Sequence, residues 1–109
     1  MDQLGQVLAA VSDPTRRAIV DRLARGPARD TDVASPFPMS LNAVSKHIKV
    51  LEKAGLVRRA RLGREHALAL NAAPLRQVFR WAHRYERFWN ERLDRLEAFF
   101  TDADKEKNR

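Results

Sequence analysis

Apolar positions recur at helical spacing through most of this chain, broken by one short stretch of strand-like alternation. Leu4, Val7, Leu8 and Val11 predict a first helix over residues 3–11. Ser12-Asp13-Pro14 ends it and opens a second, with Asp13 as N-cap and Pro14 at the first helical position. That helix runs to about Arg25, turns Ala18, Ile19 and Leu23 inward, and stops at Gly26-Pro27. A short third helix spans residues 30–35 with Val33 and Ala34 inward, and Pro36 and Pro38 mark a tight connection in which Phe37 and Met39 plug the core. Ser40 caps a fourth helix that buries Val44, Ile48 and Leu51 and ends at Gly55 in a left-handed turn.

The spacing then changes. Residues 56–61 and 65–70 read as two strands, with Gly63 allowing the turn between them. From Pro74 to Phe100 the helical pattern returns as one long helix of about 40 Å. Val78, Tyr85, Trp89, Leu93 and Leu96 lie along its three-four stripe, and Phe79, Trp81, Phe88 and Phe100 widen it. So many apolar side chains exceed what one small domain covers, which predicts a seam with a second copy. The expected organisation is one domain over residues 1–100, followed by a disordered charged tail over 101–109.

The polar positions of the fourth helix carry the functional signal. On a helical wheel Asn42, Ser45, Lys46, Lys49 and Lys53 fall opposite the buried stripe. A short helix, a tight connection and a polar-faced helix make a helix-turn-helix, and the basic hairpin behind it is a wing. The predicted fold is therefore mainly α with a small β-hairpin, a winged helix-turn-helix with a long C-terminal dimerisation helix. Such a helix fits a major groove while the hairpin lies along the adjoining phosphates.

Charge sharpens this picture. The chain carries a formal +7, and a net +5 of it falls within residues 40–73. A solubilising charge would be spread; this one is concentrated where a phosphate footprint requires it. Asn42, Ser45 and Lys46 are the candidates for base edges, since Asn pairs with adenine and Lys donates to guanine. Ser40 and Lys49 are candidates for phosphate, and Arg61 and Arg64 for phosphates or the minor groove. Arg58 and Arg59 alternate faces, so only one of them points to DNA. Arg17 is expected to pair with Asp13 or Asp21; the role of Arg16 stays open. His47 is balanced between a backbone hydrogen bond and a phosphate contact.

Other chemistry is thin. Without cysteine there is no disulfide, thiolate metal site or thiol switch. No apolar run approaches a membrane span and no signal peptide leads the chain, so a cytosolic protein is expected. No nucleophile with a base, carboxylate pair or phosphate-binding glycine loop suggests an enzyme.

The stretches SDPTRRAI and VSKHIKVLEKAGLV, with the hairpin RRARLGREHALAL behind them, resemble the ArsR/SmtB family of winged-helix transcriptional repressors over roughly residues 3–100. The likeness is to its cysteine-free branch, whose last helix carries a motif like RYERFWNERLDRLEAFF. This resemblance implies a homodimer paired through the first and last helices, adding Leu4 and Leu8 to the seam. It implies double-stranded DNA as partner, an inverted-repeat operator and repression. The thiolate pair of metal-sensing members is replaced by Asp30-Thr31-Asp32-Val33-Ala34. Of the family's second metal site only His83 and Glu86 remain, because Asn71-Ala72-Ala73 stands where the other half belongs. No metal or other cofactor is expected. A metal- or ligand-responsive sensor and a protein-docking module remain as rival readings. Trp81, Tyr85, Phe88 and Trp89 read first as interface packing and second as a ligand pocket. No effector is visible.

Overall fold

The structure is a computed structural model that describes residues 1–107. Its elements are α1 (Gln3–Ala10), α2 (Pro14–Ala24), β1 (Ala28–Arg29), α3 (Asp30–Ala34), α4 (Leu41–Lys53), β2 (Val57–Leu62), β3 (Glu65–Leu70), α5 (Ala73–His83) and α6 (Glu86–Lys107). The chain divides into two compact units, Met1–Val78 and Phe79–Arg109.

The first unit closes on one apolar core. Val7, Ile19, Val33, Val44, Ile48, Leu51, Leu56 and Leu68 are all fully buried there. Every element from α1 to β3 places at least one side chain in or against this cluster. Three helices start on side-chain caps: Asp2, Asp13 and Ser40 accept from Gly5, Arg16 and Ala43 respectively. Each cap satisfies one of the orphan donors of a first turn. In α2 the third inward residue is Val20, while Ala18 faces solvent, contrary to the expected inward set. Val20 lies one position after Ile19, so the buried stripe is wider than a strict three-four reading allows. Phe37 packs on the core as expected, but Met39 is an exposed side chain just ahead of the Ser40 cap.

The sheet has three antiparallel strands in the order β1-β3-β2. The two-residue β1 was not foreseen, because a pair such as Ala28-Arg29 has no periodicity to read. It pairs Ala28 with Leu68 and Arg29 with Ala67. The β2–β3 register runs from Val57 opposite Leu70 to Leu62 opposite Glu65. Gly63 has φ 64° and, among the described residues, no non-glycine residue has positive φ, so Gly63-Arg64 is a two-residue loop with only its first position left-handed. That is the pattern of a II′ turn, whose twist suits a hairpin. Gly55 (φ 82°) ends α4 in the left-handed conformation. Asn71 then locks the exit from the wing. Its backbone N–H donates to Leu56 O at 2.8 Å and its Nδ2 to Gly55 O at 2.9 Å.

The expected C-terminal helix is present, but the run from Pro74 to Phe100 is two helices rather than one. At the break Tyr85 N donates to Ala82 O at 3.0 Å, a tightened i→i+3 bond, and Tyr85 O accepts from Trp89 N at 2.8 Å as the next helix begins. His83 and Glu86 face each other across the break at 3.0 Å. In the second unit α6 buries no residue. The disordered tail expected from Thr101 is helical as far as Lys107; positions 108 and 109 lie outside the described residues. Thr101 Oγ1 donates to Glu97 O at 3.0 Å and joins this segment to the turn before it. Lys105 and Lys107 favour the negative end of the helix dipole.

Candidate nucleic-acid interface

The face of α4 away from the core is built from the residues that the wheel placed there. Val44, Ile48 and Leu51 are buried against α1, α2, α3 and β2. Asn42, Lys46, Lys49 and Lys53 are therefore exposed, with Ser45 half-buried on the flank. Ser40 accepts from Ala43 N at 3.1 Å, which fixes the first turn and leaves further N–H groups of the helix end facing outward. Leu41, 50% exposed in that same turn, was missed by the sequence reading. An exposed leucine directly after a cap is the one signal that marks it, and its use would be contact with a thymine methyl.

The wing is anchored to this helix by an ion pair. Arg59 donates to Glu52 Oε1 from Nη2 at 2.6 Å and from Nε at 3.1 Å, both side chains being half-buried. Strand alternation turns Arg58 to the opposite, exposed face. Of the two, Arg59 is thus spent on structure and Arg58 is the one left for solvent or DNA. Arg61 donates from Nε to Gly63 O at 3.1 Å, a contact that stiffens the turn. Arg64 and Leu62 stand exposed at the tip.

The pairing of the acids decides the electrostatics. Glu52 is taken by Arg59, and Glu65 by Arg29 of β1 at 3.0 Å. These are the only two carboxylates in residues 40–73. Among the described residues, Lys46, Lys49, Lys53, Arg58, Arg61 and Arg64 form no ion pair with a carboxylate. An unneutralised group of this kind attracts a polyanion and is weakened by salt.

Behind the reading helix, Arg17 departs from its expected pairing and Arg16, left open above, finds main-chain partners. Arg17 pairs with neither Asp13 nor Asp21; its Nη1 donates to Val11 O at 2.8 Å and Ser12 O at 3.0 Å. Arg16 donates from Nε to Ala10 O at 2.6 Å and from Nη2 to Ala9 O at 3.3 Å. Both guanidiniums thus serve carbonyls at the end of α1, which has no basic residue in its own last turn. His47 contacts Arg16 Nη1 at 3.3 Å and lies 3.9 Å from Asp13, so among the described residues its ring meets these side chains rather than the expected backbone group. Asp13 is held below its ordinary 3.8. The chief cause is the backbone N–H of Arg16; the charges of Arg16 and His47 add to it against an opposing desolvation.

The residues foreseen for the dimer seam divide by unit. Leu4 and Leu8 are half-buried on α1, and Val78 packs on the core edge. Tyr85, Trp89, Leu93 and Leu96 are 43–61% exposed in the second unit. An open groove of about 360 Å³ lies among Phe79, Ala82, His83, Glu86 and Trp89. Among the described residues no group of three or more potential metal ligands gathers, and no helix is long and apolar enough to cross a membrane.

A helix-turn-helix with a basic wing pinned to its second helix defines a nucleic-acid-reading protein. The family model described as a helix-turn-helix domain matches residues 11–60. The transcriptional repressor SdpR of Bacillus subtilis is 33% identical over 72% of this chain and 87% of its own length. The HTH-type transcriptional regulator Rv2034 of Mycobacterium tuberculosis is 54% identical over 48 residues, 44% of this chain and 45% of that protein. A solved structure titled an ArsR family transcriptional regulator is 38% identical and superposes with a TM-score of 0.76, covering 82% of this chain and 98% of the other. The chain belongs to the ArsR family of winged helix-turn-helix transcriptional regulators.

Proposed function

We propose that the protein is a repressor that binds an inverted-repeat operator in double-stranded DNA as a homodimer. The observation that carries this reading is the pairing of both reader carboxylates, Glu52 and Glu65, which leaves Lys46, Lys49, Arg58, Arg61 and Arg64 unneutralised on α4 and the wing. Asn42, Ser45 and Lys46 read base edges in the major groove, with Leu41 available for a thymine methyl. Ser40 and Lys49 hold phosphates, and Arg61 and Arg64 meet the backbone or the minor groove at the wing. Leu4 and Leu8 of α1, with Val78, Tyr85, Trp89, Leu93 and Leu96, meet a second copy. Twofold pairing sets the two reading helices in successive major grooves, about one helical turn apart. Repression follows from occupancy of a promoter in the cytoplasm and needs neither catalysis nor a resident cofactor.

The test is a binding titration on a duplex selected from a random pool, at stated salt, with wild type and with Lys46→Ala plus Arg64→Ala. The expected result is a large loss of affinity in the double variant and a flatter dependence on salt. Unchanged affinity would favour the protein-docking reading instead.

A further inference from the structure

His47 belongs to the reading helix but faces inward, its side chain 25% exposed. Its Nδ1 lies 3.3 Å from Arg16 Nη1. The same guanidinium holds Ala10 O at 2.6 Å and Ala9 O at 3.3 Å. One side chain therefore ties the last turn of α1 to the middle of α4. A guanidinium only donates, so Nδ1 accepts, and the neutral ring keeps its proton on Nε2. A second proton would place an N–H at Nδ1, donor against donor and cation against cation. Asp13 Oδ2, 3.9 Å from Nδ1, would then draw the ring away from Arg16. Asp13 already accepts from Arg16 N at 3.0 Å, so the carboxylate is fixed in place to do this.

Asp13 and Arg16 of α2 are the charged groups facing the ring. α1 offers carbonyl oxygens to the same guanidinium. Among the described residues, Asp30 and Asp32 of α3 and Arg58, Arg59 and Arg61 of β2 make no hydrogen bond or ion pair with His47. On α4 itself the neighbouring Lys46 and Lys49 point to solvent.

We infer that Arg16 and His47 are positioning residues for operator reading: together they seat α4 against the end of α1, and they do so only while the His47 ring is neutral. This rests on the DNA-reading proposal, in which α1 belongs to the dimer seam and α4 reads bases. Loss of the tie tilts the reading helix relative to the seam and weakens sequence preference more than general attraction to DNA. Added positive charge at low pH strengthens binding to any duplex, so the informative quantity is the ratio of selected to random duplex affinity.

The experiment measures that ratio at about pH 8 and about pH 5.5, which bracket the window in which an imidazole changes charge. Wild type is compared with His47→Asn, whose amide oxygen offers a non-titrating acceptor near the Nδ1 position, and with Arg16→Lys, which keeps the charge but loses the fork. Wild type should lose roughly tenfold in the ratio on acidification, the scale of one charge-assisted hydrogen bond. The Asn variant should hold its ratio at both pH values. Arg16→Lys should be low at both while remaining folded and dimeric, and this arm decides the matter if the Asn variant folds poorly. An equal drop in wild type and His47→Asn, or a normal ratio for Arg16→Lys, overturns the inference while leaving DNA reading intact. Absence of selective binding by wild type at pH 8 overturns the DNA reading and this inference with it.

Discussion

The two units of this chain treat apolar surface in opposite ways. In Met1–Val78 the large aliphatic residues Ile19, Ile48, Leu51, Leu56 and Leu68 are fully buried, and the charges are turned outward. In Phe79–Arg109 the large side chains remain in view: Phe79 is 65% exposed, Leu93 61% and Phe99 66%. The first unit therefore closes a core of its own. The second presents an apolar stripe to solvent, and exposed apolar faces of this extent mark interaction sites. One sequence thus encodes a closed core and an open apolar face.

The largest effect expected from breaking this contrast is on the second unit. Leu93→Glu with Leu96→Glu should leave the first unit folded but make the protein monomeric in sedimentation. Operator affinity should then fall on the order of a thousandfold, because the second half-site no longer adds to the first. Ile48→Ala should act on the opposite side of the comparison. It opens a cavity in the closed core and should cost about 3 kcal/mol in urea unfolding. A comparable loss from Phe99→Ala in the monomer would blur the distinction, because Phe99 has little buried contact to lose.

Smaller effects sharpen the reader itself. Arg64→Ala should lower affinity for all duplexes alike and reduce the slope of log affinity against log salt by about one. Lys46→Ala should instead relax preference at one base position, at a cost of about 1–3 kcal/mol on the selected duplex. Ser40→Ala should cost about 1 kcal/mol of stability through its lost cap. The smallest change concerns Asp13. Its folded-state value is lowered, so its contribution is complete above the ordinary 3.8 and is lost as pH falls through the lower folded value. Asp13→Asn should therefore narrow the stability difference between neutral and strongly acid pH, as read by thermal melts.

Much of the reader was legible in the sequence for a physical reason. The periodicity of α4 is enforced by its core, so the apolar stripe Val44-Ile48-Leu51 also reveals the polar side. The Gly63 turn was legible because its backbone conformation favours glycine. What escaped was tertiary. β1 exists because Ala28 and Arg29 meet β3, and nothing in two residues announces it. The break at Arg84-Tyr85 contains neither glycine nor proline, and the apolar spacing continues on both sides of it. Arg17 looked like a surface charge and Arg16 stayed open because their partners are main-chain carbonyls, which no side-chain pattern can display. Arg59 and Arg58 could be separated by alternation, but which one was engaged depended on Glu52, seven residues away on another element.

The most direct measurement is a footprint on a selected duplex combined with the mass of the complex in solution. The reading of α4 and its wing as a twofold DNA clamp predicts two protected half-sites, about 34 Å apart along the duplex, and two chains per duplex. A single protected site with one chain bound, or protection that follows no sequence, would contradict it.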